Sequence, residues 1–384
     1  MKNIKNIYNK IKLCLEKNRS EYHVHEPINL DRSRNNLLKC IKSGFVSTRG
    51  DFIDKFSTEI KKITKSKYVL LTNTGTSSLF ISLYQLKIND TEVLVPSMTF
   101  AATCNSIKYL GGYPHFIDCE ENYPNIDSHK LEEYLNKNCI LKNGRCINKK
   151  TKKVISTLIV VHAFGYPADV LSIKKICNKY NIAIIEDAAG GLGSYLNNQH
   201  LGTFTRFGIL SFNGNKIVTS GMGGALLIKY KKDFNFLSHL IGTARKLHPW
   251  RIDHNMVGYN LKMANINASL GYSQIIHLNS ILMKKRRLHK LYSSTLDDHN
   301  CKIMNSSASK PNYWINNLIL EKKYKDDKIP LIEKLHRDKI FVREIWKPQH
   351  LLSMHRTCPH MNMENTVDLW KRTISLPSSY LKNV

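Results

Sequence analysis

Three short segments of the 384-residue chain carry the residue types best suited to chemistry. In Asn73-Thr-Gly-Thr-Ser-Ser78, Gly75 permits close backbone approach, and Thr76, Ser77 and Ser78 place hydroxyls where an apolar helix should begin. Free N–H groups at a helix N-terminus attract anions, so the segment suits a phosphate; a simple Ser/Thr helix cap would use the same residues. In Glu186-Asp-Ala-Ala-Gly-Gly191, the Asp187 carboxylate is followed by residues too small to block it. It suits a buried cation, a protonated ring nitrogen or a helix cap. In Ser211-Phe-Asn-Gly-Asn-Lys216, one lysine stands between flexible turns in an otherwise apolar region that continues to Gly-Met-Gly-Gly224. A lysine taken out of water loses part of its preference for charge and becomes a nucleophile of the kind Schiff-base chemistry requires.

The elements around these segments explain how they could meet. Continuously apolar runs predict strands at Tyr68–Thr72, Glu92–Val95, Pro114–Asp118, Ile155–His162, Ala183–Glu186, Gly208–Phe212 and Gly224–Ile228, each buried on both faces. Helical stretches lie between them at Ser77–Gln85, Ala101–Tyr109, Ser128–Leu135 and Val170–Tyr180. Alternation of this kind implies an α/β fold with a mostly parallel seven-stranded sheet, whose ligands sit outside the carboxyl ends of the strands. All three segments fall there. Together they offer an anion seat, a carboxylate and a lysine, the set that pyridoxal 5′-phosphate needs. Beyond Phe236–Arg251 the pattern changes: one or two long helices (Ala264–Leu296), a strand-like run (Asn312–Leu320), a helix (Leu331–Arg337) and a strand (Ile340–Val342) predict a smaller α+β domain. The expected division is a large domain over residues 1–245 and a small one over 246–384. The amphipathic N-terminal helix, with Ile4, Ile7, Ile11, Cys14 and Leu15 on one face, should pack on one of them.

Composition excludes some classes and leaves one question. There are 58 Lys+Arg against 30 Asp+Glu, a net charge of +28. Such a charge fits nucleic acid, an anionic surface or a phosphate-bearing substrate. The excess is mostly Lys, accompanied by abundant Asn and Ile, and reads better as a solvated surface than as recognition, which favours Arg. Its dense clusters, Lys149–Lys153 and Lys284–Arg287, lie outside the three chemical segments. The basic run Lys142–Lys153 reads as an exposed hairpin. Nine scattered cysteines, never in a CxxC pair, give neither a zinc spacing nor a disulfide framework, and no apolar run is long enough to span a membrane. A reducing cytoplasm is expected, with no signal peptide, metal, membrane insertion or nucleic-acid partner.

The ordered motifs N-T-G-T-S-S-L, V-P-S-M-T-F-A-A-T, V-V-H-A-F-G-Y-P-A-D, I-I-E-D-A-A-G-G-L-G-S, S-F-N-G-N-K-I-V-T-S-G-M-G-G and G-Y-N-L-K-M-A-N-I-N-A resemble the sugar-nucleotide aminotransferases of the DegT/StrS type, which are fold-type I pyridoxal-phosphate enzymes. The resemblance extends from Glu26 to Leu381. It implies that Lys216 carries the cofactor and shuttles protons, Asp187 pairs with the ring nitrogen, and Gly75, Thr76 and Ser211 bind the phosphate. Phe100 would stack on the ring, and Asn260 would reach the phosphate from the neighbouring subunit of a homodimer with shared active sites. Ser-Phe-Asn-Gly-Asn-Lys, the Asn143–Lys150 insertion and Pro377-Ser-Ser look like the branch that aminates UDP-linked 4-keto-6-deoxy-N-acetylhexosamines for bacterial surface glycans, the bacillosamine and legionaminic types. L-glutamate would be the donor and pyridoxamine phosphate the alternate cofactor form, with Ser47 and Thr48 as substrate contacts.

Two departures stand out. Three residues after the Asp, relatives carry Gln, His or Glu directed at the ring oxygen; here Gly190 stands, which would lose a hydrogen bond, admit a water or reshape the pocket. Met222 stands where Gly is common. Retention of Lys216 argues against the dehydratase offshoot, which has His there. The alternatives are an inactive or regulatory cofactor-binding paralogue and a basic nucleic-acid-binding protein.

Overall fold

The computed structural model describes residues 2–15, 19–26, 30–306 and 309–379. Residue 1 and residues 380–384, which fall at the outer ends of the two expected domains and include Leu381, lie outside the described residues. Seven apolar runs form the central sheet: β1 (Tyr68–Thr72), β2 (Glu92–Pro96), β3 (Tyr113–Ile117), β4 (Val154–Val161), β5 (Ala183–Asp187), β6 (Phe207–Ser211) and β7 (Gly224–Ile228). Their spatial order is β1-β7-β6-β5-β4-β2-β3, and a hairpin, Cys139–Lys142 with Arg145–Asn148, extends the sheet to nine strands along β4. Strands β6, β5, β4, β2 and β3 pair in parallel, whereas β7 runs antiparallel to both β6 and β1. The fold class is therefore the expected mostly parallel α/β sheet.

Local sequence sets the ends of the elements nearest the site. The helix Gly75–Gln85 starts two residues earlier than its apolar pattern indicates, because Thr74 caps it by accepting a hydrogen bond from the Ser77 N–H at 3.0 Å. That cap turns the first backbone amides of the helix toward the end of β1. The hairpin forms where the basic insertion was expected, with Asn143 and Gly144 in the left-handed conformation its turn requires. Beneath it lies a buried network: Glu92 of β2 accepts from His115, Asn148 and Thr151.

Two hydrophobic cores result. The larger surrounds the sheet and continues through Met263, Ala268, Ile275 and Leu282. The helix Asp51–Thr64 buries Phe52, Phe56, Ile60 and Thr64 on one face and packs on the helix Asn265–Ile275. The smaller core joins Ile7, Ile11 and Cys14 of the N-terminal helix to Leu288, Tyr292, Leu318, Leu335 and Ile374. A four-stranded antiparallel sheet, built from Cys301–Ile303, Asn317–Leu320, Thr373–Ser375 and Arg343–Glu344, backs it. The long segment 264–296 is two helices, Asn265–Ile275 and Leu278–Leu296. Only Asn317–Leu320 of the strand-like run 312–320 is strand. Among the described residues no helix is long and apolar enough to cross a membrane.

Candidate active site

The carboxyl ends of β1, β2, β4, β5 and β6 open into one cavity of about 480 Å³. Gly75, Thr76, Phe100, Asp187, Ser211 and Lys216 all line it. At the end of β1, Gly75 lies so close to β6 that a Cβ there would stand 3.0 Å from Ser211 Cβ and 3.2 Å from Ser211 Oγ. Glycine here lets the helix N-terminus and the serine hydroxyl face one point without pushing Ser211 aside. At the end of β5, Asp187 is held on both oxygens: Thr103 donates to Oδ2 at 2.7 Å and the Ala189 N–H to Oδ1 at 3.1 Å.

Lys216 follows β6 in a turn closed by its own N–H on the Asn213 carbonyl. Burial pushes its ammonium down to about 8, with the Asp187 carboxylate pulling partly the other way. Its Nζ lies 3.7 Å from the centroid of the Trp314 ring. Phe100 is 60% exposed at the mouth, across from Trp346, which stacks on Phe164 with centroids 4.1 Å apart. Phe164 holds a left-handed backbone, φ 56°, a conformation that bulky residues rarely adopt and that gathers at functional sites.

A buried acid–imidazole pair supports this wall. The Ala168 N–H donates to His162 Nδ1, so the proton on Nε2 faces Glu186 Oε2 at 3.2 Å. Glu186 also accepts from the N–H groups of Gly202, Phe204 and Thr205. The pair thus ties the ends of β4 and β5 to the loop before β6. Elsewhere in the cavity the charged lining is Lys216, Arg343 and Glu344, the last paired with Lys328, and His25 is held neutral by burial, reinforced by Lys285, Lys216 and Arg343.

The remaining expected residues lie elsewhere. Ser47 and Thr48 are exposed on the loop before Gly50, and Asn260 is exposed beside Gly242; none of the three lines this cavity within one chain. Sequence reasoning missed Thr103, His162, Phe164, Trp314, Arg343 and Trp346. Thr103 and His162 stood inside quoted motifs at strand ends, which was the available signal. Trp314, Arg343 and Trp346 come from the C-terminal part of the chain, far in sequence from the motifs, and carried none. The structure also shows what occupies the space beside Gly190: a Cβ there would meet Trp314 Cε3 at 2.6 Å and Cζ3 at 2.9 Å. The indole fills that space.

A second, larger depression of about 640 Å³ is lined by Lys62, Lys65, Lys67 and Lys229. It adjoins the starts of β1 and β6 and the end of antiparallel β7, the amino edge of the sheet, opposite the chemical segments. By contrast, the carboxyl-edge cavity combines an anion seat packed closely against Ser211 at position 75, a twice-anchored carboxylate and a desolvated amine. That donor set fits the phosphate, ring nitrogen and carbonyl of pyridoxal phosphate.

Comparison with known proteins places the chain among aminotransferases. The sequence profile of the DegT/DnrJ/EryC1/StrS aminotransferase family matches residues 28–381. The chain is 30% identical over 338 residues to a GDP-perosamine synthase of Vibrio cholerae, covering 86% of each. It is 26% identical over 354 residues to a UDP-4-amino-4,6-dideoxy-N-acetyl-beta-L-altrosamine transaminase of Campylobacter jejuni, covering 91% of this chain and 90% of that one. Its fold is similar to that of the aminotransferase TlmJ from Streptoalloteichus hindustanus, with a TM-score of 0.83, 20% identity and 93% of each chain covered.

Proposed function

The chain belongs to the DegT/DnrJ/EryC1/StrS aminotransferase family, and we propose that it moves an amino group from L-glutamate to the 4-keto carbon of a UDP-linked 4-keto-6-deoxy-N-acetylhexosamine. It is a sugar-nucleotide aminotransferase, and its cofactor is pyridoxal phosphate. The observation that carries the reading is the convergence of Gly75, Ser211, Asp187 and Lys216 on one cavity at the carboxyl edge of the sheet.

Bound there, pyridoxal phosphate supplies a carbonyl and an electron sink through which an amino group passes between two substrates. The chain's own residues do the rest. The amides of Gly75 and Thr76 and the hydroxyl of Ser211 bind the phosphate at the helix N-terminus. Asp187, fixed by Thr103 and Ala189, would pair with the ring nitrogen, and Phe100 would cover the ring. Lys216 Nζ would hold the cofactor's carbonyl and would be the base that takes and returns the proton as nitrogen is transferred. Its lowered pKa suits it to both directions of transfer. Phe164 and Trp346 keep water from that proton.

We assign Asn260 to the cavity of a second subunit and Ser47 and Thr48 to the sugar nucleotide. The segment leading to Asn260 supports a homodimer, because Leu247, Trp250, Ile252 and Val257 are 100%, 79%, 73% and 83% exposed in one chain. The two cores are read as a large cofactor-binding domain and a smaller C-terminal one that includes the N-terminal helix. The nine buried cysteines suit a cytoplasmic enzyme.

The quoted motifs favour UDP. The identity to GDP-perosamine synthases makes a GDP-linked 4-keto sugar the second reading. Incubation with ¹⁵N-glutamate and separate UDP-, GDP- and dTDP-4-keto sugars, read by product mass, tests the choice. Label in the UDP amino sugar is expected; label only in the GDP product selects the second reading, and label in none refutes both.

A further inference from the structure

The contacts of Trp314 single it out among the cavity residues. The side chain is 3% exposed. One face receives Lys216 Nζ at 3.7 Å from the ring centroid, inside the range of a cation–π contact. Its Nε1–H donates to the carbonyl of Asn215 at 2.7 Å, the residue just before that lysine. The far edge of the ring lies against Gly190, where a Cβ would be 2.6 Å from Cε3. One side chain thus touches the reactive lysine, the turn that carries it and the loop that follows Asp187.

The indole is itself firmly held. Its backbone N–H donates to Asn312 Oδ1 at 2.9 Å, and Asn312 Nδ2 donates to the carbonyls of Gly190 at 2.7 Å and Leu192 at 2.9 Å. The Trp314 carbonyl accepts from the buried Lys285 Nζ at 3.1 Å. His25 packs against the ring with centroids 5.8 Å apart. The strand-like run 312–320 gives up its first residues to this arrangement.

We propose that Trp314 is the positioning residue for Lys216: its ring face seats the ammonium, its N–H anchors the lysine's turn, and Gly190 lacks a side chain because the indole occupies that volume. Lys216 has no ion-pair partner within hydrogen-bonding distance among the described residues, so an aromatic face does what a carboxylate does elsewhere. It holds the amine toward the cavity without a strong counter-ion that would keep it protonated. The inference rests on the reading of this cavity as the cofactor site.

The test is the rate at which full-length protein, stripped of cofactor, captures added pyridoxal phosphate, followed by visible absorbance, with far-UV circular dichroism to show that each variant is folded. Trp314→Leu is expected to slow capture about a hundredfold, the scale of a desolvated cation–π contact together with a lost hydrogen bond. Trp314→Phe keeps a ring face but loses the N–H, and its rate should fall between wild type and Trp314→Leu. Gly190→Ala should slow capture when Trp314 is present and have little further effect in Trp314→Leu, because the clash is with the indole. Capture by Trp314→Leu at the wild-type rate overturns the proposal. So does Trp314→Phe as slow as Trp314→Leu, or Gly190→Ala equally harmful in both backgrounds. Wild-type protein that captures no pyridoxal phosphate refutes the functional reading instead, and the proposal with it.

Discussion

A methyl group added at position 75 probes the anion seat more selectively than removal of a polar group, because its effect can be worked from the geometry. Gly75→Ala places a Cβ 3.0 Å from Ser211 Cβ, 3.2 Å from Ser211 Oγ and 3.5 Å from the Leu210 carbonyl. Ser211 must then retreat by a few tenths of an ångström. Crowding of this kind costs about 1–3 kcal/mol, while replacing a glycine inside a helix returns up to about 1 kcal/mol. The cofactor-free protein should therefore lose about 0–3 kcal/mol, a modest shift in a urea or thermal melt. Cofactor affinity should fall much further, because the displaced serine hydroxyl and the amides of the first turn no longer face one point. A lost hydrogen bond to a charged group is worth about 1.5–3 kcal/mol, or about 10- to 150-fold in Kd. The assay is a pyridoxal-phosphate titration of stripped protein, paired with melts with and without cofactor. Wild type should gain stability with cofactor by mass action and the variant much less. A folded Gly75→Ala protein that binds cofactor within about twofold of wild type, set against the tenfold step that 1.4 kcal/mol represents, would falsify the phosphate assignment.

Three further outcomes are expected. Asp187→Asn should still bind cofactor but lose about 10²-fold in kcat, the scale of a lost preorganised electrostatic contact, and undiminished turnover would remove its role. Thr103→Val takes away the donor to Asp187 at 2.7 Å without changing side-chain size, so a smaller fall in kcat with normal folding is expected. The pH dependence follows from two desolvated lysines, the partly buried Lys216 held down to about 8 and the fully buried Lys285 to about 7. Between those values and the usual lysine pKa of 10.5 the unfolded chain binds more protons, so cofactor-free stability should rise with pH through that window. Urea melts of wild type and Lys285→Met test it, the variant losing the part of the rise that starts near 7.

Much of the sheet was legible because strands buried on both faces are continuous apolar runs, and Leu158–Val161 or Leu226–Ile228 have no other reading. The chemical segments were legible for a related reason: each follows such a run, and strand polarity brings the ends together. What was not legible depends on distant partners. Asn312–Leu320 reads as a strand from its residues, yet the backbone N–H groups of Asn312, Trp314 and Asn316 go to the side-chain oxygens of Ser194, Asn312 and Ser378, so pairing begins only at Asn317. Lys284–Arg287 read as a solvated basic cluster, but Lys285 is fully buried, with Nζ on the carbonyls of Trp314 and Ser378. The gap expected beside Gly190 is filled by that same tryptophan. No local pattern announces a side chain supplied from the other end of the fold.

The buried Lys285 also supplies the sharpest control on the central claim, since it is a second desolvated amine bonded to the Trp314 carbonyl. Holoenzyme reduced with borohydride, digested and sequenced by mass spectrometry reports which lysine carries the cofactor. The pyridoxyl group is expected on the peptide containing Lys216 and should be absent after Lys216→Ala. A pyridoxyl group on Lys285, or on no lysine of a cofactor-loaded protein, would contradict it.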